Sequence, residues 1–435
     1  MNSLINPNYL GVYFFDNREN AYFFYDIRPR LNSPEPMKNR DIIITGLQPY
    51  DMAIGSNCIN IAEELAKENR VLYVNYAFDR GSLKKEKDKP NVQKRMRMLS
   101  GQEENLVMVH NNLWIYYPNT LLENINWIPS TQLFRIANRI NNIRFAREIK
   151  KAIDLLGLKN FCLFTDSDMF RSYHLKEMLK PALSIYYTRD NMMSVPYWKK
   201  HGQFLEPEFM AKVDLVCANS TYLSELAAKH NKQSFYVGQG CDISAFDPEI
   251  RRTIPPDIAT IKQPVIGYIG ALYTLRLDLE IIRKIAQGQP DWQVVLIGPE
   301  DEGFKNSDLH ALPNVHFLGS KPVNQLADYL EAFDVAINPQ ILNEVTIGNY
   351  PRKIDEYLAM GKPVVATATK AMEIFAEHTY LAKEPNEYIP LIKKALAENN
   401  SSRIQARIAF AQTHTWENSV KAIYKAIQSV KPEYC

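Results

Sequence analysis

The sequence predicts an α/β protein built from two Rossmann-like domains. Three observations carry this. From Asp41 onward, short apolar runs alternate with amphipathic stretches, which is the pattern of parallel strands joined by helices. The alternation breaks over Ile243–Pro264, where Pro248, Pro255, Pro256 and Pro264 stand among charges, and it restarts at Val265. At 435 residues the chain is long enough for two full cores.

The elements follow in order. Residues 1–40 hold two aromatic runs, Gly11–Asp16 and Ala21–Ile27, separated by Asn17-Arg18-Glu19-Asn20. They predict an aromatic β-hairpin extension with rings on both faces. Such a ribbon needs cover, from its own N-terminal domain or from a partner or membrane surface. The first domain, 41–245, places strands at Ile42–Gly46, Val71–Tyr76, Leu113–Tyr117, Phe161–Thr165, Leu183–Thr188, Leu215–Ala218 and Phe235–Val237. Helical stretches such as Asn57–Lys67 and Ile136–Leu155 lie between them. Residues 243–264 read as a linker. The second domain, 262–415, repeats the pattern with Val265–Gly270, Val294–Gly298, Val315–Gly319, Val335–Asn338 and Val364–Thr367. Trp416–Val430 has helical periodicity.

Composition narrows the function. The formal net charge of +2 gives no global nucleic-acid signal. The five cysteines form no CxxC pair and read as reduced thiols rather than a disulfide frame or zinc site. No apolar run approaches the roughly 20 residues a membrane span needs. The N-terminus lacks the layout of a secretory signal, so a cytoplasmic enzyme is expected. One local exception is Ser82–Met98, a polybasic segment read as a loop, with Lys84, Lys85, Lys87, Lys89, Lys94, Arg95 and Arg97 against Glu86 and Asp88. It suits either a solvated charge run or peripheral contact with an anionic leaflet.

The most informative stretch is Asn349–Thr367, NYPRKIDEYLAMGKPVVAT. It reads as a loop, a short helix and a buried strand. Pro351 suits a first helical turn, and Gly361 with Lys362-Pro363 ends the helix. Lys353 and Glu356 fall in the first turns, beside free backbone N–H groups. An ammonium and a carboxylate there suit a ligand carrying both phosphate and a sugar diol. The motif Lys-Ile-Asp-Glu-Tyr-Leu-Ala-Met-Gly-Lys-Pro-Val-Val resembles the donor-site signature of GT-B glycosyltransferases of family 4 and its relatives, and most of all the bacterial teichuronic-acid-biosynthesis type. The strand Asp214–Ser220 and the segment Val237–Phe246, VGQGCDISAF, resemble the same group, with Gln239 where relatives show Asn. The resemblance runs from about Asp41 to the end.

It implies the GT-B fold, in which the two domains face a central cleft and the last helix, 416–430, crosses back onto the first. It also implies that Glu356 holds the ribose of a nucleotide-sugar and that Lys353 lies by the diphosphate. The other donor-site candidates come from the ends of the second-domain strands, where open α/β sheets bind ligands. Gly270 ends the first strand, and Arg276 follows within reach of a diphosphate. Gly298 ends the second. Gly319-Ser320 ends the third, where the family's backbone contacts the base. The loop from Asn338 to Pro351, with Glu344, Thr346, Gly348, Asn349 and Tyr350, is placed for sugar recognition. Gly348 stands where many retaining relatives carry a second Glu, so a retaining mechanism does not carry over.

In the first domain the transfer wants a base. Asp190 is the first candidate, with Arg189 beside it to keep it ionised; its alternative role is to cap the following helix. Asp51 and Asp166 are reserves. His174, His201 and His316 have no metal-like spacing, and no essential metal or cofactor is expected. The donor is a UDP- or GDP-linked sugar. The acceptor is a saccharide or a polyprenyl-linked one, in cell-surface polysaccharide assembly. The rival readings are a nucleotide-sugar 2-epimerase and a catalytically silent GT-B partner subunit.

Overall fold

The computed structural model describes residues 11–16, 21–26, 37–51, 56–86, 88–110 and 112–434. Gly11–Asp16 (β1) and Ala21–Asp26 (β2) pair antiparallel, from Gly11 opposite Asp26 to Asp16 opposite Ala21, as a two-stranded sheet of their own. The expected polar turn at 17–20 and the surface meant to cover the ribbon lie outside the described residues.

The first large sheet has eight strands. They are Asp41–Gly46 (β3), Arg70–Val74 (β4), Leu106–His110 (β5), Leu113–Tyr116 (β6), Cys162–Asp166 (β7), Leu183–Thr188 (β8), Leu215–Ala218 (β9) and Ser234–Tyr236 (β10). Their spatial order is β10-β9-β8-β7-β3-β4-β6-β5, and only β5 runs antiparallel to its neighbour. The second sheet is all parallel: Val265–Ile269 (β11), Gln293–Ile297 (β12), Val315–Gly319 (β13), Val335–Asn338 (β14), Val364–Thr367 (β15) and Tyr380–Ala382 (β16), in the order β13-β12-β11-β14-β15-β16. Helices cover both faces of each sheet, and so strands such as β3, β8 and β14 are buried along their whole length. The chain reverses direction across each sheet between β3 and β7 and between β11 and β14. Those two switch points are where crevices open.

The helix Trp416–Val430 packs Val420, Ile423, Tyr424 and Ile427 into the core of the first sheet, beside Ile61 and Leu65. Asn69 donates to the Tyr424 hydroxyl at 3.1 Å. The two crossings between domains run side by side. Cys241 N–H donates to the His414 carbonyl at 2.9 Å. A Cβ on Gly240 would stand 2.3 Å from the Trp416 ring, so only glycine permits this approach.

Two expectations need correction. Residues 243–264 are not a loose linker: Ser244–Phe246 and Pro256–Ala259 form short helical turns, and Phe246 and Ile258 are buried in the second core. Apolar anchors between the prolines fix the segment. The polybasic segment is not a loop either. It forms the helices Arg80–Glu86 and Pro90–Leu99, because Val92, Arg95 and Met98 recur at threefold spacing and bury one face. Arg95 turns inward over the rings of Phe78 and Tyr76, 4.6 and 5.1 Å from their centres, and pairs with Asp51 at 3.2 Å. Arg97 pairs with Glu103 at 2.5 Å. Two of the segment's cations, Arg95 and Arg97, are therefore engaged within the fold.

Candidate functional site

A cavity of about 640 Å³ opens at the switch point of the second sheet. Its floor is the carboxyl end of β11, Tyr268-Ile269-Gly270, and that of β14, Asn338 with Gln340. One wall is Tyr350 to Glu356. Asp242, Ala245 and Phe246 close another side, and Asn60 reaches in from the first domain.

Gly270 adopts φ +144°, and a Cβ there would stand 2.6 Å from the Lys353 Nζ. Gly298, at φ +150°, needs the same freedom, since its Cβ would meet the Gly270 carbonyl at 1.9 Å. The two glycines let adjacent loops close on each other and leave the cavity open above Gly270.

The helix Lys353–Ala359 is anchored by Ile354, Tyr357 and Leu358, all fully buried. The Tyr357 hydroxyl accepts from Ile269 N–H at 2.9 Å, which ties the helix to the end of β11. Lys353 and Glu356 then project into the cavity. The Lys353 ammonium lies over the Tyr268 ring, 3.9 Å from its centre, and donates to the Tyr268 hydroxyl. Burial lowers Lys353 to about 7; Glu356 pulls it up and Arg276 pushes it further down. Burial raises the Glu356 carboxyl, and Arg352 and Lys353 oppose that rise. Arg352 stands 3.6 Å from Glu356. A basic group whose charge burial weakens and a carboxyl group stand side by side in the cavity, an arrangement able to meet an anion and a diol.

Arg276 lines the same cavity from an exposed position, its carbonyl held by Ile341 N–H at 3.0 Å. Tyr350 also lines it, but its hydroxyl donates to Asp355 at 2.9 Å and meets His414 Nδ1 at 3.2 Å. Its role there is to brace the fully buried Asp355, which His414 also holds at 2.6 Å. Gly298, Gly319 and Ser320 are not among the lining residues. The strand ends they occupy are reached instead through Val323 and Leu326. Those two and Asn60 escaped the sequence reading, since tertiary packing alone brings them to the cavity. Gln340 lies in the loop expected to face the ligand, and Asp242 in the VGQGCDISAF segment, though neither was singled out as a site residue.

The loop between Asn338 and Pro351 spans the cleft. Asn191 donates to the Glu344 carbonyl at 2.9 Å, Lys199 pairs with the Glu344 carboxylate at 3.3 Å, and Ser220 donates to the Gly348 carbonyl at 2.9 Å. A Cβ on Gly348 would lie 2.4 Å from the Tyr222 ring of the first domain. Any side chain at 348 would require the Tyr222 ring or the loop to shift, and Glu344 faces the first domain instead.

Asp190 stands on the loop after β8, with 46% of its side chain accessible. Partial desolvation raises its carboxyl above the ordinary range; Arg189 and Arg276 pull it down and Asp166 pushes it up. Arg189 favours the ionised form of Asp190 but is shared with Asp166. Arg189 Nε bonds the fully buried Asp166 at 3.0 Å and offers Asp190 only a 3.3 Å contact through Nη1. Nor does Asp190 cap a helix by its side chain; its carbonyl accepts from Met192 N–H at 2.9 Å. Of the reserves, Asp166 is sealed by Arg189 and Ser167, and Asp51 is engaged by the buried Arg95. His201 stacks on Phe134 at 4.1 Å as a core residue. Among the described residues no group of three His, Cys, Asp or Glu side chains is set to hold a metal.

Residues 263–398 match the family model described as glycosyl transferases group 1. The match lies within the second domain. The chain is 26% identical over 250 residues to a Bacillus subtilis (strain 168) protein carrying the name teichuronic acid biosynthesis glycosyltransferase TuaH. That stretch is 54% of this chain and 62% of the relative, so the chain matches less than two thirds of the relative's length. Among solved structures, sucrose-phosphate synthase from Thermosynechococcus elongatus superposes with a TM-score of 0.62 at 15% identity, covering 91% of this chain and 100% of that one. Anabaena Alr3699/HepE in complex with UDP gives 0.62 at 16% identity, covering 90% and 100%. Trehalose 6-phosphate synthase from Burkholderia multivorans gives 0.63 at 9%, covering 92% and 100%. These likenesses extend over both domains of the chain, and the fold is GT-B. Lys353, Glu356, Arg276 and Gly270 all lie inside the matched residues.

Proposed function

We propose that this protein is a glycosyltransferase that moves a sugar from a nucleotide diphosphate to a saccharide or polyprenyl-linked acceptor in cell-surface polysaccharide assembly. The observation that carries the reading is the convergence of Lys353, Arg276 and Glu356, all inside the matched residues, on one cavity at the switch point of the second sheet. The ammonium and guanidinium serve the diphosphate, and the Glu356 carboxylate accepts from the ribose hydroxyls. A UDP-linked donor is favoured over a GDP-linked one, because HepE is solved with UDP and with UDP-glucose.

Asp190 deprotonates the acceptor hydroxyl in an inverting transfer. Asp190 is not among the residues lining the cavity, but Arg276, which is, acts on it electrostatically and so supports the reading. The packing of Gly348 against Tyr222 supports inversion, since a glutamate there would require the ring or the loop to shift. The bound loop and both domains exclude water and limit donor hydrolysis. The enzyme works without a metal or cofactor at the inner face of the membrane. No helix among the described residues is long and apolar enough to cross a membrane.

The test is a thermal-shift panel of UDP, GDP and their sugars, followed by product analysis. A rise in melting temperature with UDP and transfer to an acceptor support the proposal. Conversion of UDP-N-acetylglucosamine without acceptor would make it an epimerase, and failure to bind any nucleotide would make it a silent subunit.

A further inference from the structure

We infer that the outward face of the helix Thr131–Leu156, with the neighbouring face of Pro196–Lys212, is a docking surface for an anionic lipid leaflet. The inference rests on the glycosyltransferase reading for its purpose but not for its evidence. Over the N-terminal half of the 26-residue helix, Leu133, Ile136 and Ile140 recur at three- and four-residue spacing and are 58%, 63% and 50% exposed. Single exposed apolar side chains are ordinary, but an apolar ridge over about two turns of one helix is not. Trp127, just before the helix, is 74% exposed, and Phe204 on the second helix is 50% exposed.

The surface is preformed. Lys200 donates to the Asn126 and Trp127 carbonyls at 2.7 and 3.1 Å, which fixes the tryptophan beside the second helix. His201 stacks on Phe134, and Arg135 binds Glu208 through two bonds of 2.7 and 2.6 Å. The two helices therefore present their apolar side chains as one rigid face.

Charge identifies the occupant. Along the same helix Arg139, Arg147 and Lys150 are exposed and make no ion pair among the described residues. An apolar ridge with an interfacial tryptophan and flanking cations is the chemistry of an element lying in the headgroup region of anionic lipid. The polybasic helices at 80–99 are a poorer match, because Arg95 and Arg97 are spent on Asp51 and Glu103. The second helix begins six residues after Asp190, so docking by this face would bring a lipid-linked acceptor towards the candidate base.

The experiment is sedimentation of the full-length protein with phosphatidylcholine vesicles containing or lacking phosphatidylglycerol, across a salt series. Wild type should bind the anionic vesicles and release as salt rises. Ile136→Ser with Ile140→Ser should lower partitioning at least ten-fold at every salt concentration. Arg139→Gln, Arg147→Gln and Lys150→Gln together should lower it by about five-fold per charge, at low salt only. Equal binding by wild type and the serine variant would overturn the inference. So would a concentration-dependent dimer that the serine variant abolishes, since the face would then meet a second copy. UDP affinity of each variant, measured in parallel, checks folding. Its absence in wild type as well would refute the transferase reading while leaving the vesicle result to stand.

Discussion

The Lys353 ammonium lies 3.9 Å above the centre of the Tyr268 ring, enclosed between β11 and the helix that carries Glu356. A cation in that setting is stabilised by the ring quadrupole but stripped of water, and burial wins, bringing it to about 7. A diphosphate placed against it would restore the charge. Donor binding should therefore take up close to one proton at pH 8 and almost none at pH 6. Affinity should fall as pH rises from 7 towards 9. Calorimetry in buffers of different ionisation heat measures the proton count, and a pH-independent affinity would remove Lys353 from the phosphates.

The same depression has a stability consequence. The unfolded lysine keeps its ordinary value, so between pH 7 and the usual lysine range the unfolded chain binds more protons than the folded one. This residue's contribution to stability accordingly rises with pH over that window and is least favourable at pH 7 and below. Lys353→Met keeps the stem and removes the charge. It should raise the melting temperature of the ligand-free protein at pH 6 and weaken UDP roughly 10–100-fold, the range of a lost charge-assisted bond. Uridine, without phosphates, should bind the variant and wild type alike.

Gly348 sets a third test. Its missing Cβ lets the cleft loop rest on Tyr222. Gly348→Ala should cost about 1–3 kcal/mol through overpacking and lower turnover. Tyr222→Ser should restore much of both in the double variant, as contacting residues couple. Independent, additive effects would show that the contact does not hold the loop.

Asp190→Asn tests the base. Turnover should fall about 10²–10⁴-fold with donor affinity nearly unchanged, because the proposed donor site lies on the other domain. NMR of the product anomer should show inversion. Full activity, or retained configuration, would move the chemistry away from Asp190.

Much of the fold was legible because parallel strands buried on both faces read as runs of Val and Ile. The runs at Ile42, Leu183, Val265 and Val364 fall within a residue or so of observed strands. The Lys353–Glu356 pair was legible because three helical positions place both on one side of a short helix. What failed to show has a common cause in long-range packing. Arg95 reads as one more surface cation, yet three aromatic rings and Asp51 draw it inward. Arg189 reads as the partner of its neighbour Asp190, but β7 brings Asp166 closer. Asn60 carries no local signal, and only the meeting of the two domains brings it to the cavity.

The most direct test of the donor site is calorimetric titration of UDP into wild type and Glu356→Gln. The substitution keeps the shape of the side chain and removes the charge that accepts from the ribose diol. Wild type should bind, and the variant should lose roughly 1–3 kcal/mol of affinity while keeping its melting temperature. A folded Glu356→Gln protein that binds UDP as tightly as wild type would contradict the assignment of this cavity to the nucleotide.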